Sequence, residues 1–244
     1  MNAYLRKEMN ISSCQSRLRY CAMEVLSKIG FQTSRKIEYD FVLSEILFPN
    51  RRILDIGSYG SILPILMARK INSVYAFDFR GYGETNFNLT SIKGNVKSLP
   101  FRDETFDLIT CVSTMEHIGL TAYGDPRFDD GDKLLLNEIL RVLKKDGKII
   151  ITVPFCGKFG TIEWKSGKER IYDYSTLLRL FSDMYIKREE FYIPLGKKNW
   201  KMTNKEKAEI TYMTYPRSNL ACFSLIKNEQ SGNFQNLSKE EKRN

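Results

Sequence analysis

The chain has no apolar run near the roughly 20 residues that cross a bilayer, so no membrane-spanning helix is expected. Its start, MNAYLRKEMNISS, lacks the apolar core of a secretory signal. Histidine occurs once, at His117, and tryptophan twice. The five cysteines (Cys14, Cys21, Cys111, Cys156, Cys222) are scattered, with no CxxC pair and no Cys/His cluster, which argues against structural zinc. An odd, dispersed set reads as reduced thiols and places the protein in the cytoplasm. There is no internal repeat and no GxGxxG. What remains is ordinary globular composition over 244 residues, 42% hydrophobic and 27% charged, enough for a sizeable core.

Positive charge is in excess, 38 basic against 29 acidic residues, a net +9. Residues 54–156 carry 12 basic and 13 acidic residues, so the excess lies in the flanks, and its densest part is Lys197, Lys198, Lys201, Lys205 and Lys207 around Trp200. A neutral centre with basic flanks fits a small or sugar-linked anionic acceptor better than a duplex nucleic acid, with RNA as the rival partner.

Periodicity divides the chain. Residues 12–30 and 35–47 have helical spacing, with Leu18, Cys21, Ala22, Val25, Leu26 and Ile29 on one face and Gly30 at a helix end. Short continuous apolar runs follow at Ile53–Ile56, Ser73–Phe77, Phe106–Cys111 and Ile149–Val153, separated by helical segments at 61–70 and 131–144. Such alternation predicts a Rossmann-like α/β fold with a mostly parallel sheet buried on both faces. A further helix is expected at 173–183, capped by Asp173 or Ser175, and final strands at Met184–Tyr192 and Asn219–Lys227. The expected division is a helical addition over 1–48, the α/β domain over 49–227 and a polar, frayed tail over 228–244.

The sharpest local signal is RRILDIGSYGS. A buried strand ends in Asp55, followed by Gly57, Ser58 and Gly60, with Ser61 as helix cap and Pro64 in the first turn. The next strand ends in Asp78, a carboxylate able to accept both hydroxyls of a ribose. A dinucleotide site fits poorly, because Asp55 repels pyrophosphate and suits an ammonium group.

DIGSYG, Asp78, NVKSLPFRDETFDLIT and LLLNEILRVLKKDGKIIITVPF stand in the order and spacing of the motifs of class I S-adenosylmethionine-dependent methyltransferases, which this sequence resembles over about residues 50–155. The resemblance implies an open seven-stranded sheet, mostly parallel with its last strand antiparallel, and S-adenosyl-L-methionine as cofactor. It implies that Asp55 and the backbone around Gly57, Ser58 and Gly60 hold the methionine end, Asp78 the ribose, and Phe79, Asn95 and Val96 the adenine. Tyr59 stands where many members have a second glycine, and Asn95 where an aspartate often binds the adenine amine.

After the fourth strand, STMEHIGLTAYGDPRFDDGD gathers Glu116, His117, Asp125, Asp129, Asp130 and Asp132. This run is similar to an EHIGLGRYGDP-type run in methyltransferase-like proteins associated with cell-surface polysaccharide genes, and ERIYDYSTLLRLF continues the likeness. That implies a saccharide-linked acceptor, polysaccharide biosynthesis as the setting, and methylation on oxygen. The alternatives are an RNA methyltransferase or a non-catalytic cofactor-binding protein. His117, with an ordinary pKa near neutrality, is the candidate base, with Glu116 beside it. Glu-His after this strand is common in the wider fold, where it can also be structural. Asp132 is expected as N-cap of a helix over 133–144, and Asp107 as a structural hydrogen-bonding residue. The aspartates permit magnesium or calcium as an alternative, but no metal-ligand spacing stands out, and no metal is expected. Pro154–Tyr174 and a loop at 193–215 are expected to cover the acceptor, with Trp164, Tyr172, Trp200, Tyr212 and Tyr215 available to stack on it and Arg170 as an anion contact or surface ion pair.

Overall fold

The computed structural model describes Leu18, Cys21 and residues 33–84, 87–121, 123–124, 127–128, 130–164, 167–196, 199–210 and 218–228. Most of the first expected helix, and the tail beyond Asn228, therefore lie outside the described residues. Leu18 and Cys21 are helical, as the spacing requires, and both are exposed.

The four apolar runs form strands β1 (Arg52–Ile56), β2 (Ser73–Asp78), β4 (Phe106–Val112) and β5 (Leu143–Phe155), and with β3 (Leu89–Lys93), which was not among those runs, they lie parallel in the order β3-β2-β1-β4-β5. β10 (Asn219–Lys227) then pairs antiparallel with both β5 and β8 (Met184–Leu195). Successive residues go to opposite cores. Leu54 and Ile56 face one, with Ile149 and Ile151, and Ile53 faces the other, with Ile150. Burial on both faces is why these strands read as unbroken apolar runs. Helices α1 (Ser34–Glu45) and α2 (Leu63–Ala68) cover one face, and α3 (Gly131–Val142) and α4 (Tyr174–Leu180) the other.

This is the Rossmann-like α/β fold expected, with one strand more. The segment read as a loop at 193–215 contains β9 (Asn199–Thr203), which extends the sheet to eight strands by pairing with β8, and α5 (Lys205–Ile210). The stretch after β5 forms a separate hairpin of β6 (Gly160–Trp164) and β7 (Gly167–Ile171).

Helix ends follow their capping chemistry. Asp173 caps α4 by accepting from the Thr176 amide at 2.7 Å, and Pro64 sits in the first turn of α2. Ser61 Oγ accepts from the Leu63 amide at 3.1 Å, although the N-cap position itself is Ile62. Asp132 is not the cap of α3. The helix starts earlier, at Gly131, where the Cβ of any other residue would lie 2.2 Å from the Ile118 carbonyl oxygen. Asp130 occupies the N-cap in the left-handed region (φ 53°) without a side-chain cap bond. Asp132 instead accepts from the Tyr172 hydroxyl at 3.2 Å and lies 3.6 Å from Arg170 Nε. Asp107 is structural as expected, accepting from the Arg52 amide and Lys144 Nζ, each at 2.8 Å.

α1 is pinned to the sheet by its partly buried C-terminal end. Glu45 takes Lys148 Nζ at 2.7 Å, an Arg188 amine at 2.9 Å and Ser224 Oγ at 2.9 Å, and these bonds hold its carboxyl below the usual range against the opposing effect of burial. Glu38 of the same helix is fully buried and accepts from Ser113 Oγ and, at 2.8 Å, from Thr152 Oγ1. No helix among the described residues is long and apolar enough to cross a membrane.

Candidate active site

The carboxyl ends of β1, β2 and β4 open on a cavity of about 290 Å³. Open α/β sheets bind ligands at this place, where the chain crosses from one side to the other. Asp55 ends β1 and is buried. Its Oδ1 accepts from Thr110 Oγ1 at 2.6 Å and its Oδ2 lies 2.8 Å from Ser58 Oγ. Burial is the largest influence on its carboxyl and pushes the pKa up to about 6, further raised by Asp78, while the two hydroxyls and the Arg35 charge oppose. Gly57 turns the chain out of β1 at φ 84°, with its amide donating to Phe77 O at 2.9 Å. Asp78 ends β2. Its Oδ2 accepts from the Tyr59 amide at 3.2 Å and its Oδ1 from the Arg80 amide at 2.8 Å.

Asp55, Gly57, Gly60, Asp78, Phe79, Asn95, Val96 and His117 all line this one cavity. Ser58 and Glu116 do not. Ser58 is fully buried and orients the Asp55 carboxyl. Asn95 Oδ1 is already engaged by the Lys97 amide at 3.0 Å, leaving one lone pair for an adenine amine.

His117 ends a 3-10 turn, Met115–His117, directly after β4. Its Nδ1 is 3.3 Å from Lys168 O, while Nε2 lies 3.8 Å from Glu116 Oε1 and 3.9 Å from Glu169 Oε2. A carbonyl can only accept, so this contact makes Nδ1 the N–H and Nε2 the basic nitrogen of the neutral ring, with two carboxyl groups near it. Glu116 is buried with Oε2 lacking any hydrogen-bond partner, and burial pushes its carboxyl well above the usual range, helped by Glu38 and Glu169.

The hairpin β6–β7 holds this turn in place. Besides Lys168 and Glu169, it contributes Arg170, which is buried and donates to Ile118 O at 2.9 Å while facing Asp132. Arg170 is therefore a buried clamp between hairpin and turn. Of the aromatic residues expected over the acceptor, Tyr172 is buried core and Trp200 packs against the α1–α2 core. Neither lines the cavity, and the side chains of Trp164, Tyr212 and Tyr215 lie outside the described residues. Asp125 and Asp129 also lie outside them. Among the described residues no group of three His, Cys, Asp or Glu side chains is arranged to hold a metal.

Sequence reasoning missed the residues that complete the wall. Arg35 and Tyr39 come from α1, and Ser113, Thr114, Tyr123 and Phe128 from the segment after β4. The Arg80 guanidinium lies 3.9 Å from the Tyr59 ring centre and 4.8 Å from that of Tyr123. The departure at Tyr59 was the one signal available for this stack.

Eight strands in this order, helices on both faces and acidic residues ending adjacent strands over a shared cavity define the Rossmann-like fold of the S-adenosylmethionine-dependent methyltransferases. Residues 54–151 match the family model of the methyltransferase domain. A solved 1,6-didemethyltoxoflavin-N1-methyltransferase of Burkholderia thailandensis, with S-adenosylhomocysteine bound, is similar over 93% of this chain and 88% of its own (TM-score 0.63, 14% identity). An S-adenosylmethionine-dependent methyltransferase of Methanosarcina mazei is similar over 77% and 97% (TM-score 0.54, 15% identity). The 4+2 cyclase SpnF has the same fold over 80% of each chain (TM-score 0.59, 15% identity). An uncharacterised protein of Methanocaldococcus jannaschii is 39% identical over 62 residues, which span 25% of this chain and 22% of that relative.

Proposed function

We propose that the chain is an S-adenosylmethionine-dependent methyltransferase that methylates an oxygen of a small or saccharide-linked acceptor, with His117 as general base. The observation that carries this is the convergence of Asp55, Asp78 and His117 on one cavity over the methyltransferase domain.

The cofactor fits the residues present. A buried carboxyl that is costly to ionise alone, Asp55, is stabilised by an ammonium group. Asp78, one strand over, can accept from a ribose diol, and Phe79 and Val96 offer apolar surface to a base. Two acidic strand ends disfavour a pyrophosphate. When bound, the cofactor supplies an electrophilic methyl group on a sulfonium. The protein's part is alignment and proton handling. Residues Ser113, Thr114 and Tyr123 border the space next to His117, and Nε2 takes the acceptor proton as the oxygen forms its new bond. The resulting imidazolium is stabilised by Glu169 and held by the Lys168 carbonyl. The neutral charge of residues 54–156 supports a small or saccharide-linked acceptor over RNA.

Two binding measurements test the cofactor half. Calorimetry should give one S-adenosylhomocysteine site per chain, and Asp78→Ala should weaken it by about 1.5–3 kcal/mol, the range for a hydrogen bond to a charged group. Unchanged affinity removes Asp78 from the ribose role. Affinity should also depend on pH through Asp55. Its free carboxyl titrates near 6, and a bound ammonium favours the ionised form, so binding below that pH must expel a proton. Affinity should therefore rise from pH 5 to 7 and then level off, and a flat profile across that interval would exclude Asp55 as the ammonium partner.

The finer assignment to an oxygen acceptor is tested by incubating the protein with labelled cofactor and a panel of nucleotide sugars and saccharides. Label transferred to nitrogen, or to RNA with affinity falling steeply as salt rises, would replace that assignment.

A further inference from the structure

We infer that Arg35, on the first turn of α1, is the carboxylate clamp of this cavity: it binds the carboxylate of the amino-acid end of the cofactor whose ammonium Asp55 takes. The inference rests on the cofactor reading above and adds a ligand role to a helix outside the methyltransferase-domain match.

The argument begins with charge. An amino acid carries its ammonium and its carboxylate on one carbon, so a site that takes the first at Asp55 must accommodate the second beside it. The surroundings are acidic: Asp55 and Asp78 line the cavity, and Glu38 and Glu116 are buried next to it. Without a cation, a carboxylate there is repelled. Among the described residues lining the cavity, arginine and lysine are represented by Arg35 and Arg80 alone. Arg80 is committed at the ribose side, with Nε 3.4 Å from Asp78 Oδ1 and its guanidinium stacked between Tyr59 and Tyr123.

Arg35 is placed differently. Its contact with Glu38 Oε2 is long for a charged pair, at 3.3 Å, and its side chain is 48% exposed, so donors remain for a ligand. Its charge reaches Asp55, whose carboxyl it draws downward against burial. An arginine fork matches a carboxylate with two parallel N–H bonds.

The supporting turn is firmly held, so little ordering is needed on binding. Thr33 caps α1 by accepting from the Lys36 amide at 3.2 Å. Glu38, three residues on, is bonded to Ser113 and Thr152 at the ends of β4 and β5. Tyr39, one turn beyond Arg35 and also lining the cavity, places its hydroxyl 3.1 Å from Ser61 Oγ in the loop after β1. The helix thus brings Arg35 over the same strand end that carries Asp55.

The test uses two ligands that differ by the amino-acid end, S-adenosylhomocysteine and 5′-methylthioadenosine, titrated calorimetrically into the full chain. Arg35→Gln should raise the Kd of S-adenosylhomocysteine about 10–100-fold, as expected for loss of a charge-assisted hydrogen bond, and leave that of 5′-methylthioadenosine unchanged. Arg35→Lys should recover part of the loss. Equal weakening of both ligands would assign Arg35 a structural role and overturn the clamp. Unchanged S-adenosylhomocysteine affinity would overturn it too and free the guanidinium for an anionic acceptor. If the unaltered chain bound neither ligand, the cofactor reading itself would fall, and the clamp with it.

Discussion

Replacing His117 by alanine should slow methyl transfer about 10²–10⁴-fold, the usual contribution of a positioned general base, with S-adenosylhomocysteine affinity nearly unchanged. The basis is the disposition of the ring: it lines the cavity, Nδ1 faces a backbone carbonyl, and Nε2, the basic nitrogen of the neutral ring, lies 3.8 and 3.9 Å from two carboxyl groups that stabilise the imidazolium. His117→Gln keeps polarity and volume but cannot take the proton and should be nearly as slow. The readout must separate base from brace. A variant that loses turnover while keeping its melting temperature and cofactor affinity has lost a base. One that loses melting temperature or cofactor binding in proportion to activity has lost a structural residue, because the same ring ties the turn after β4 to the β6–β7 hairpin. Since His117 is the only histidine in the chain, no other imidazole can substitute.

Gly57→Ala should cost about 2–5 kcal/mol of folding stability in urea unfolding. About 1–2 kcal/mol comes from placing a side chain at φ 84°. A further 1–3 kcal/mol comes from crowding, because the new Cβ would lie 2.1 Å from Thr114 Oγ1 and 2.6 Å from its Cγ2. Thr114 is short and has its hydroxyl bonded to Val112 O at 3.0 Å, so it has little room to withdraw. Two controls divide the cost. Gly60→Ala, at φ 69° with nothing within 4 Å of the new atom, should show the backbone part alone. Thr114→Ala added to Gly57→Ala should return only part of the crowding cost, since the Cβ that remains at 114 still lies 2.8 Å from the new atom. If Gly57→Ala proved no worse than Gly60→Ala, close packing of the β1 turn on the β4 turn would not be what requires glycine there.

The legible part of this molecule is what neighbours along the chain encode. β1 and β2 show themselves because burial on both faces forces consecutive apolar residues, and because Asp55 and Asp78 interrupt that pattern where the strands leave the core. The cap at Asp173 is equally local. The hairpin β6–β7 was hidden: GTIEW and GKERI mix charges with apolar residues, since the hairpin lies off the main sheet, and only its partners across space give Glu169 and Arg170 meaning. β9, with Asn199, Lys201 and Met202 exposed on an edge, has no apolar signature either. Asp132 misled for a different reason. Its residue type suits a cap, but the helix starts two residues earlier than that reading, at Gly131, where the backbone approaches Ile118 closely. Arg35 and Tyr39 looked like ordinary members of an amphipathic helix, and nothing in their spacing says that the helix ends over β1.

The position of β10 has a bearing on how the chain is made. It lies between β5 and β8 yet is synthesised after both. While the ribosome is still adding the residues up to Asn219, the apolar side of β5, with Ile149, Ile151 and Val153, and the inner edge of β8 have no strand to pair with. Long-range pairing of this kind is slow, and open strand edges are where nascent chains stick to one another. The strand that seals the middle of the sheet is thus the last to be made, and a premature stop between Leu195 and Asn219 would leave the edges of β5 and β8 both open in place of a finished fold.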